Sequence, residues 1–268
     1  VGLVISQCRG NPDYFEALDL LELGLDPKRA LNRLRSEDQR QFNKLSRSRQ
    51  VAVIDSQGKI DSFTGEDCGR YAGQIVNKQL GYVLLGNGLE SQEVLIAMDK
   101  EMRRQELGSF ERIALAMQAG LRAGGEVRPE SSAGLCYASG TSSSKWWKDS
   151  GECLSIEDSD TPVMDLIKLF NLEQSRLALE KGFESFEGGD FDSGSDAFEI
   201  AKRLNPTDME IPLWQGFFLY KSGRKAKGLK ILRPIIESND PWPKETLRRF
   251  GGSVGDELLE KMLSAEKK

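Results

Sequence analysis

Apolar and polar residues alternate in several short stretches of the first half of the chain, as they do in half-buried β-strands. Residues 49–63 alternate apolar with polar side chains on both sides of a polar turn, which predicts a β-hairpin. The opening residues, VGLVISQ, predict a strand, and residues 82–85 predict a short buried strand that ends at Gly86-Asn87-Gly88. The first part of the chain is therefore predicted to contain an antiparallel β-sheet.

Other segments repeat their apolar residues every three or four positions, which is the spacing of one helix face. The predicted helices cover Tyr14 to Leu21, a stretch that begins at Pro27, Ser91 to Gln105, and Ser109 to Gly124. SAGLCYA and CLSIE then predict a final pair of strands. Strands and hairpins beside paired helices favour an α+β sandwich of layered antiparallel sheets over a doubly wound parallel sheet.

From Pro162 onward the strand pattern ends and the sequence is helical. Its glycines and large apolar residues recur 34 residues later, which is the length of a tetratricopeptide (TPR) repeat. The first set is Gly182, Phe183, Phe186, Gly189, Gly194, Phe198 and Ala201, and the second is Gly216, Phe217, Tyr220, Gly223, Gly228, Leu232 and Ile235. Residues 244–250 and 256–262 are expected to cap the repeats. We predict an α+β domain at 1–168 and an all-α, TPR-like repeat domain at 169–268.

Composition narrows the chemistry that the chain can perform. The 268 residues include no histidine, which excludes Ser-His-Asp triads, Cys-His dyads and histidine-ligated metal sites. A formal net charge of −5 argues against nucleic-acid binding through bulk charge, and no stretch approaches the roughly 18–20 apolar residues of a membrane span. The adjacent Glu66 and Asp67 lack further spaced ligands, and residues 140–145 lack the second glycine of a phosphate-binding loop. We predict no metal site and no cofactor.

The four cysteines are Cys8, Cys68, Cys136 and Cys153, and they include no C-x-x-C pair. This spacing disfavours zinc ribbons and thioredoxin-type redox sites. Free buried thiols are expected in preference to disulfides. The cysteine count leaves the compartment open, with a cytoplasmic location favoured.

Several segments carry a resemblance to a known family. They are ISQ followed by NPDY, LDLLELGL, RQVAVIDSQGKIDSFTGEDC, YAG, GYVLLGN, AGGE before SSAGL, and EDSDTPVMDLIKLF. In order and spacing, residues 1 to about 168 resemble a bacterial family catalogued as domain of unknown function 1028, which is grouped with the N-terminal-nucleophile (Ntn) hydrolases. The resemblance implies an αββα sandwich and amide cleavage by a terminal Thr, Ser or Cys whose own α-amino group is the base, so histidine is not needed.

The chain also departs from the pattern of that family. The family usually has His, His, Gln, Gln and Gly at positions that here hold Gln74, Ser159, Leu85, Ser131 and Pro129, respectively. The resemblance further implies an earlier pair of strands that bears the nucleophile, whereas Val1 has no nucleophilic side-chain atom. We expect an N-terminally incomplete form of such a protein, with the nucleophile in preceding residues.

Five residues are candidates for a site. Asn87 with the backbone N–H of Gly88 resembles an oxyanion-stabilising pair, although Asn-Gly is more often simply a tight turn. Thr64 lies after the hairpin, where it either binds substrate or caps a turn. Gln7 and Asn11 follow the first strand, where they either contact substrate or anchor a polar loop.

Two functions agree with these patterns. The first is an Ntn-hydrolase-like protein of unknown substrate that hydrolyses amides in its intact form, with a repeat domain that binds a substrate or partner. The second is a non-enzymatic scaffold for protein interactions whose site has decayed. A peptide or protein partner is expected at the repeat domain, and neither nucleic acid nor a membrane is. Trp146-Trp147 is either an exposed recognition patch or a cover for the sheet.

Overall fold

The computed structural model describes residues 2–137 and 152–265. The chain divides into two compact units, Val1–Leu166 and Ile167–Lys268. The first unit combines helices and strands and the second is helical, so the protein is α+β. The predicted tryptophan patch at 146–147 and the segment 140–145 lie outside the described residues. In the described part, no helix is long and apolar enough to cross a membrane.

The first sheet has three antiparallel strands in the order β1-β2-β3. They are β1 (Gly2–Cys8), β2 (Arg49–Asp55) and β3 (Ile60–Thr64). The β2–β3 hairpin is confirmed, and its turn is held by the Asp55 carboxylate, which accepts hydrogen bonds from the backbone N–H groups of Gln57 and Lys59 at 2.9 Å. Gly58 adopts a φ of 77° there, a conformation that glycine accepts without steric cost.

One face of this sheet packs against helices. A 3₁₀ turn (Pro12–Glu16) leads into α1 (Ala17–Glu22), and α2 follows (Pro27–Phe42). Val4, Val51 and Val53 from the strands pack with Tyr14 and Leu31 from these elements in one buried cluster. Because side chains alternate along a strand, the residues between these valines project from the opposite face of the sheet.

The second sheet is the antiparallel pair β4 (Tyr71–Asn77) and β5 (Tyr82–Leu89). Two helices follow it, α3 (Glu93–Met102) and α4 (Ser109–Arg122). The sequence did not predict β4, and it was wrong to end β5 at residue 85, since the strand continues through Asn87 and Gly88 to Leu89. The physical reason is a β-bulge, which lets a strand continue past a glycine with positive φ.

A third strand pair consists of β6 (Ala133–Tyr137) and β7 (Glu152–Ile156). Their antiparallel register places Cys136 directly opposite Cys153, and the two form a disulfide. The expectation of free thiols is therefore wrong for this pair. Cys8 and Cys68 are free.

The second unit is built from successive helices, the first of which begins before Ile167. They are α5 (Pro162–Glu187), α6 (Phe191–Leu204), α7 (Glu210–Lys221), α8 (Lys225–Ile236), α9 (Trp242–Phe250) and α10 (Gly252–Ala265). The 34-residue offset relates Gly182 of α5 to Gly216 of α7, and Gly194 of α6 to Gly228 of α8. A Cβ on Gly228 would lie 2.5 Å from the carbonyl oxygen of Gly216, so the small residues allow α7 and α8 to pack closely.

Candidate functional site

A buried glutamine, Gln50, lies among three of the residues that the sequence analysis proposed for a site. Gln50 is fully buried near the start of β2, and the strand register places it between Gln7 of β1 and Thr64 of β3. Residues directly opposite each other in neighbouring strands project from the same face. This row therefore lies on the face of the sheet away from α1 and α2, and faces β4 and β5.

The Gln50 carboxamide joins three strands of its own sheet to the second sheet. Its Oε1 accepts hydrogen bonds from Gln7 Nε2 at 2.6 Å and from Asn87 Nδ2 at 3.1 Å. Its Nε2 lies 2.9 Å from each of three acceptors, which are Thr64 Oγ1 and the carbonyl oxygens of Gly73 and Gly86. The structure thus brings three sequence-predicted site residues, Gln7, Thr64 and Asn87, around one buried side chain. We call these four residues the Gln50 cluster.

Asn87 and Gly88 form a β-bulge. Tyr71 pairs with Leu89 and Gly73 pairs with Gly86, so β5 has one more residue in this interval than β4. Gly88 has a φ of 66°, and its carbonyl oxygen accepts a hydrogen bond from the N–H of Val127 at 2.9 Å. A bulge re-aims the side chains beside it and is common next to active sites. Here the bulge directs the Asn87 carboxamide at Gln50. One N–H of this carboxamide donates to Gln50 Oε1, and the other N–H has no acceptor among the described residues.

Thr64 connects the Gln50 cluster to Gln74. The Thr64 hydroxyl donates to Gln74 Oε1 at 3.0 Å, and Gln74 Nε2 donates to the carbonyl oxygen of Ser62 at 3.2 Å. The next residue, Gly65, approaches the backbone of Arg47 so closely that an added Cβ would lie 2.1 Å from its carbonyl oxygen. The Thr64 hydroxyl is therefore fixed by hydrogen bonds to Gln50 and Gln74, and the backbone after it is fixed by its packing against Arg47.

Asn11 is not part of this cluster. Its Nδ2 donates to Asp38 Oδ1 at 2.9 Å, and its Oδ1 accepts from the backbone N–H of Asp13 at 3.1 Å. Asp38 is itself buried in an ion pair with Arg49, at 3.1 Å. Burial and the adjacent Asp38 carboxylate both raise the pKa of the Tyr14 hydroxyl, which donates to Asp38 at 3.3 Å. The structure supports the interpretation of Asn11 as the anchor of a polar loop.

An open cleft lies beside Thr64. Its volume is ≈ 520 Å³, and residues of α2, of the segment before β2 and of the end of β3 line it. The Arg35 guanidinium lies over the Phe63 ring, 4.1 Å from its centroid, which fixes a positive charge at the cleft. Arg47 is instead neutralised by Glu66 at 2.8 Å and by Asp67 at 3.2 Å. Arg35 is the cation of the cleft without an ion-pair partner among the described residues.

Two cysteines lie near the same end of the sheet. Cys8 ends β1, next to Gln7, and Cys68 follows the loop that begins at Gly65. Burial raises the pKa of the Cys68 thiol to about 12, and an interaction with Cys8 contributes. The described residues contain no group of three or more Cys, Asp or Glu arranged to hold a metal ion.

Sequence reasoning missed Gln50 and Arg35. Gln50 precedes an uninterrupted apolar run in β2, and a polar residue at the start of a buried strand is a signal that could have identified it. Its partners depend on strand register and on the packing of two sheets, which the sequence does not display. Arg35 lies on an exposed helix face and becomes notable only through Phe63 of another element.

Comparison with known proteins identifies a family and a similar fold. Residues 1–166 match the family of unknown function DUF1028. A crystal structure of protein SPO2555 from Silicibacter pomeroyi, which is assigned to the same family, is 24% identical with a TM-score of 0.50, and the match covers 62% of this chain and 70% of that one. At this identity the likeness concerns the fold alone. A comparison with curated proteins found no match.

Proposed function

The chain belongs to the DUF1028 family of unknown function, and we propose that its first unit is an Ntn-hydrolase-like domain that hydrolyses amide bonds in its intact form. The observation that carries the proposal is the Gln50 cluster, in which Gln7, Thr64 and Asn87 from three strands meet around one buried carboxamide. Thr64 is the member of the cluster that also lines the open cleft. Polar side chains that converge on one point are typical of ligand sites.

The proposal needs a nucleophile close to the Gln50 cluster, and the edge of β1 offers a place for it. Among the described residues β1 pairs with β2 alone, so one edge of the strand has free N–H and C=O groups. Leu3 and Ile5 project from the same face as Gln7 and are 55% and 40% exposed, respectively. An added strand at this edge would satisfy the backbone groups and cover these apolar side chains.

We propose that this strand begins with a Thr, Ser or Cys and is supplied by residues before Val1 in a longer form of the protein. The hydroxyl or thiol attacks the amide carbonyl, and the α-amino group takes its proton and passes it to the leaving amine. Water then hydrolyses the acyl intermediate and releases the carboxylate. A chain without histidine can perform this chemistry because none of its steps uses that residue.

The Asn87 bulge is the proposed oxyanion site. We assign this role to the second carboxamide N–H of Asn87 and to the backbone N–H of Gly88, which are neighbours in the bulge. In known enzymes one such donor contributes about 2.7–4 kcal/mol to transition-state stabilisation. Thr64, which lines the cleft, and Gln7, which lies in the same cross-strand row, are proposed to position substrate, and the Arg35 guanidinium of the cleft favours an anionic group.

The second candidate function is a scaffold without catalysis, and one observation favours it. The Gln50 oxygen already accepts hydrogen bonds from both Gln7 and Asn87, so the acceptor at the centre of the cluster is satisfied without a ligand. In both cases we propose that the helical unit, as a TPR-like module, recruits a peptide or protein.

The test uses a form of the protein that extends before Val1. Hydrolysis predicts that its mature N-terminus is Thr, Ser or Cys and that it releases amine from acylated amide substrates. Asn87→Ala should lower kcat by about 10²–10³-fold, whereas the matched control Asn239→Ala, at an exposed position of the helical unit, should not change it. A processed protein with no turnover would favour the scaffold, and turnover that Asn87→Ala leaves unchanged would contradict the oxyanion role of Asn87.

A further inference from the structure

A groove between two helices of the second unit has features of a ligand site. Its volume is ≈ 640 Å³, within the range of small-molecule and peptide pockets. The buried residues Gln215 and Leu219 of α7 form its floor, and charged residues of α6 and α8 form its two walls. This groove belongs to the helical unit alone.

The two walls carry opposite charges. Asp192, Asp196 and Glu199 follow one face of α6, whereas Arg224, Lys227 and Lys230 lie before and along α8. At one end the walls meet, because Arg224 Nη2 lies 2.9 Å from Asp192 Oδ1. The groove is therefore closed at this end by an ion pair.

Away from that end the charges are not paired with each other. Among the described residues, Asp196, Glu199, Lys227 and Lys230 have no ion-pair partner within 4.0 Å. The groove thus separates a negative wall from a positive wall. A ligand with one positive and one negative group would complement both.

The floor of the groove supplies a hydrogen-bond acceptor. Gln215 is only 4% exposed, and its Nε2 donates to Glu199 Oε1 at 2.7 Å. Its Oε1 accepts no hydrogen bond from the described residues, and Gln215 lines the groove. A buried amide oxygen in this position favours a ligand that contributes an N–H group.

From these observations we infer that the groove binds a short zwitterionic peptide. Its α-ammonium lies against Asp196 and Glu199, its carboxylate lies against Lys227 and Lys230, and a backbone N–H donates to Gln215. The closed end favours a ligand that terminates in the groove, and a helix about 10–12 Å across would have to break the Arg224 ion pair to pass through. The inference rests on the proposed partner-binding role of the helical unit and is independent of the hydrolase proposal.

Isothermal titration calorimetry of the full chain with trialanine tests the inference. We expect N-acetyl-trialanine and trialanine amide, which each lack one charge, to bind at least about 5-fold more weakly than trialanine. Lys230→Glu reverses one charge of the positive wall and should weaken trialanine binding by at least about 5-fold. The matched control Lys202→Glu, on an exposed position of α6 outside the groove, should change it less than about 2-fold.

Three results would overturn the inference. They are equal affinity for the free and the blocked peptides, no trialanine binding, and an unchanged affinity in Lys230→Glu. If trialanine binds but Lys230→Glu has no effect, the peptide binds elsewhere in the chain and the groove loses its proposed role. Amide turnover by the first unit is measured separately, so its outcome does not depend on this titration.

Discussion

Replacement of Gln50 by leucine tests whether one buried side chain holds the two sheets and the candidate site together. Leucine is of similar volume but has no polar atom, so Gln50→Leu removes the hydrogen bonds without a large cavity. The carbonyl oxygen of Gly86 loses a buried donor, and Gln7 and Asn87 lose their shared acceptor.

The cost follows from the burial of these groups. A buried carbonyl without a partner costs about 1–3 kcal/mol, and each lost net hydrogen bond costs about 0.5–1.5 kcal/mol. Gln7 and Asn87 are only half-buried and can turn to water, which reduces their share. We expect Gln50→Leu to lower the free energy of unfolding of the first unit by about 3 kcal/mol.

Hydrogen-exchange mass spectrometry measures this loss within the full chain. Amides of β2 and β5 that exchange through global unfolding should exchange about 150-fold faster in Gln50→Leu, since 1.36 kcal/mol corresponds to a factor of ten. Peptides from α7 serve as an internal reference for the second unit. Gln57→Leu, in the exposed hairpin turn, should change the free energy of unfolding measured by exchange by less than about 0.5 kcal/mol. If Gln50→Leu behaves like Gln57→Leu, the central role of Gln50 is refuted.

Three further predictions concern other buried groups. Asp38→Leu leaves the Arg49 guanidinium buried without its counter-ion and should cost about 3–5 kcal/mol in urea denaturation. Burial raises the pKa of Cys68 to about 12 from 9.0, so native Cys68 should react with Ellman's reagent at pH 8 more slowly than Cys8. The Cys68 thiol ionises at a lower pH in the unfolded chain than in the native protein. The contribution of the protonated Cys68 to the free energy of unfolding is therefore complete below pH 9 and is lost as the pH rises towards about 12. Gly228→Ala should destabilise the helical unit by about 2–3 kcal/mol in thermal unfolding, because the new methyl group overlaps the α7 backbone.

Each of these three predictions has its own control. Replacement of both Asp38 and Arg49 by apolar residues should recover part of the stability lost in Asp38→Leu, and a neutral single variant would contradict the buried ion pair. Equal native reaction rates of the two free thiols would contradict the burial of Cys68. Gly188→Ala, whose nearest contact would be 3.3 Å, should have a smaller effect than Gly228→Ala.

Elements whose pattern and turn residues lie within a few positions of each other were predicted from the sequence, whereas elements that depend on pairing with distant residues were not. The β2–β3 hairpin and the helices have their periodicity and turn residues within a few positions, and the structure has them where the pattern indicates. The segment YAGQIVN of β4 combines glycine with a weak alternation, and its pairing with β5 stabilises it. The Cys136–Cys153 disulfide follows from the β6–β7 register, which no spacing of cysteines reveals.

The candidate site shows the same limit. Gln7, Thr64 and Asn87 could be proposed one by one because each is a polar residue at or near the end of a strand. Their convergence needs Gln50, which links them through a cross-strand row and a second sheet. Asn11 has the same local appearance as Gln7, but its side chain points to Asp38 and belongs to a buried ion-pair network. The direction and the partner of a side chain depend on the tertiary structure, so they cannot be predicted from a single position in the sequence.

The most direct test of the hydrolase proposal is a crystal structure of a form extended before Val1, with an acyl group bound to its nucleophile. The account predicts an added strand along the free edge of β1, with the acyl carbonyl oxygen about 2.7–3.1 Å from Asn87 Nδ2. An acyl group bound away from Asn87, or a β1 edge that remains unpaired in the extended protein, would contradict it.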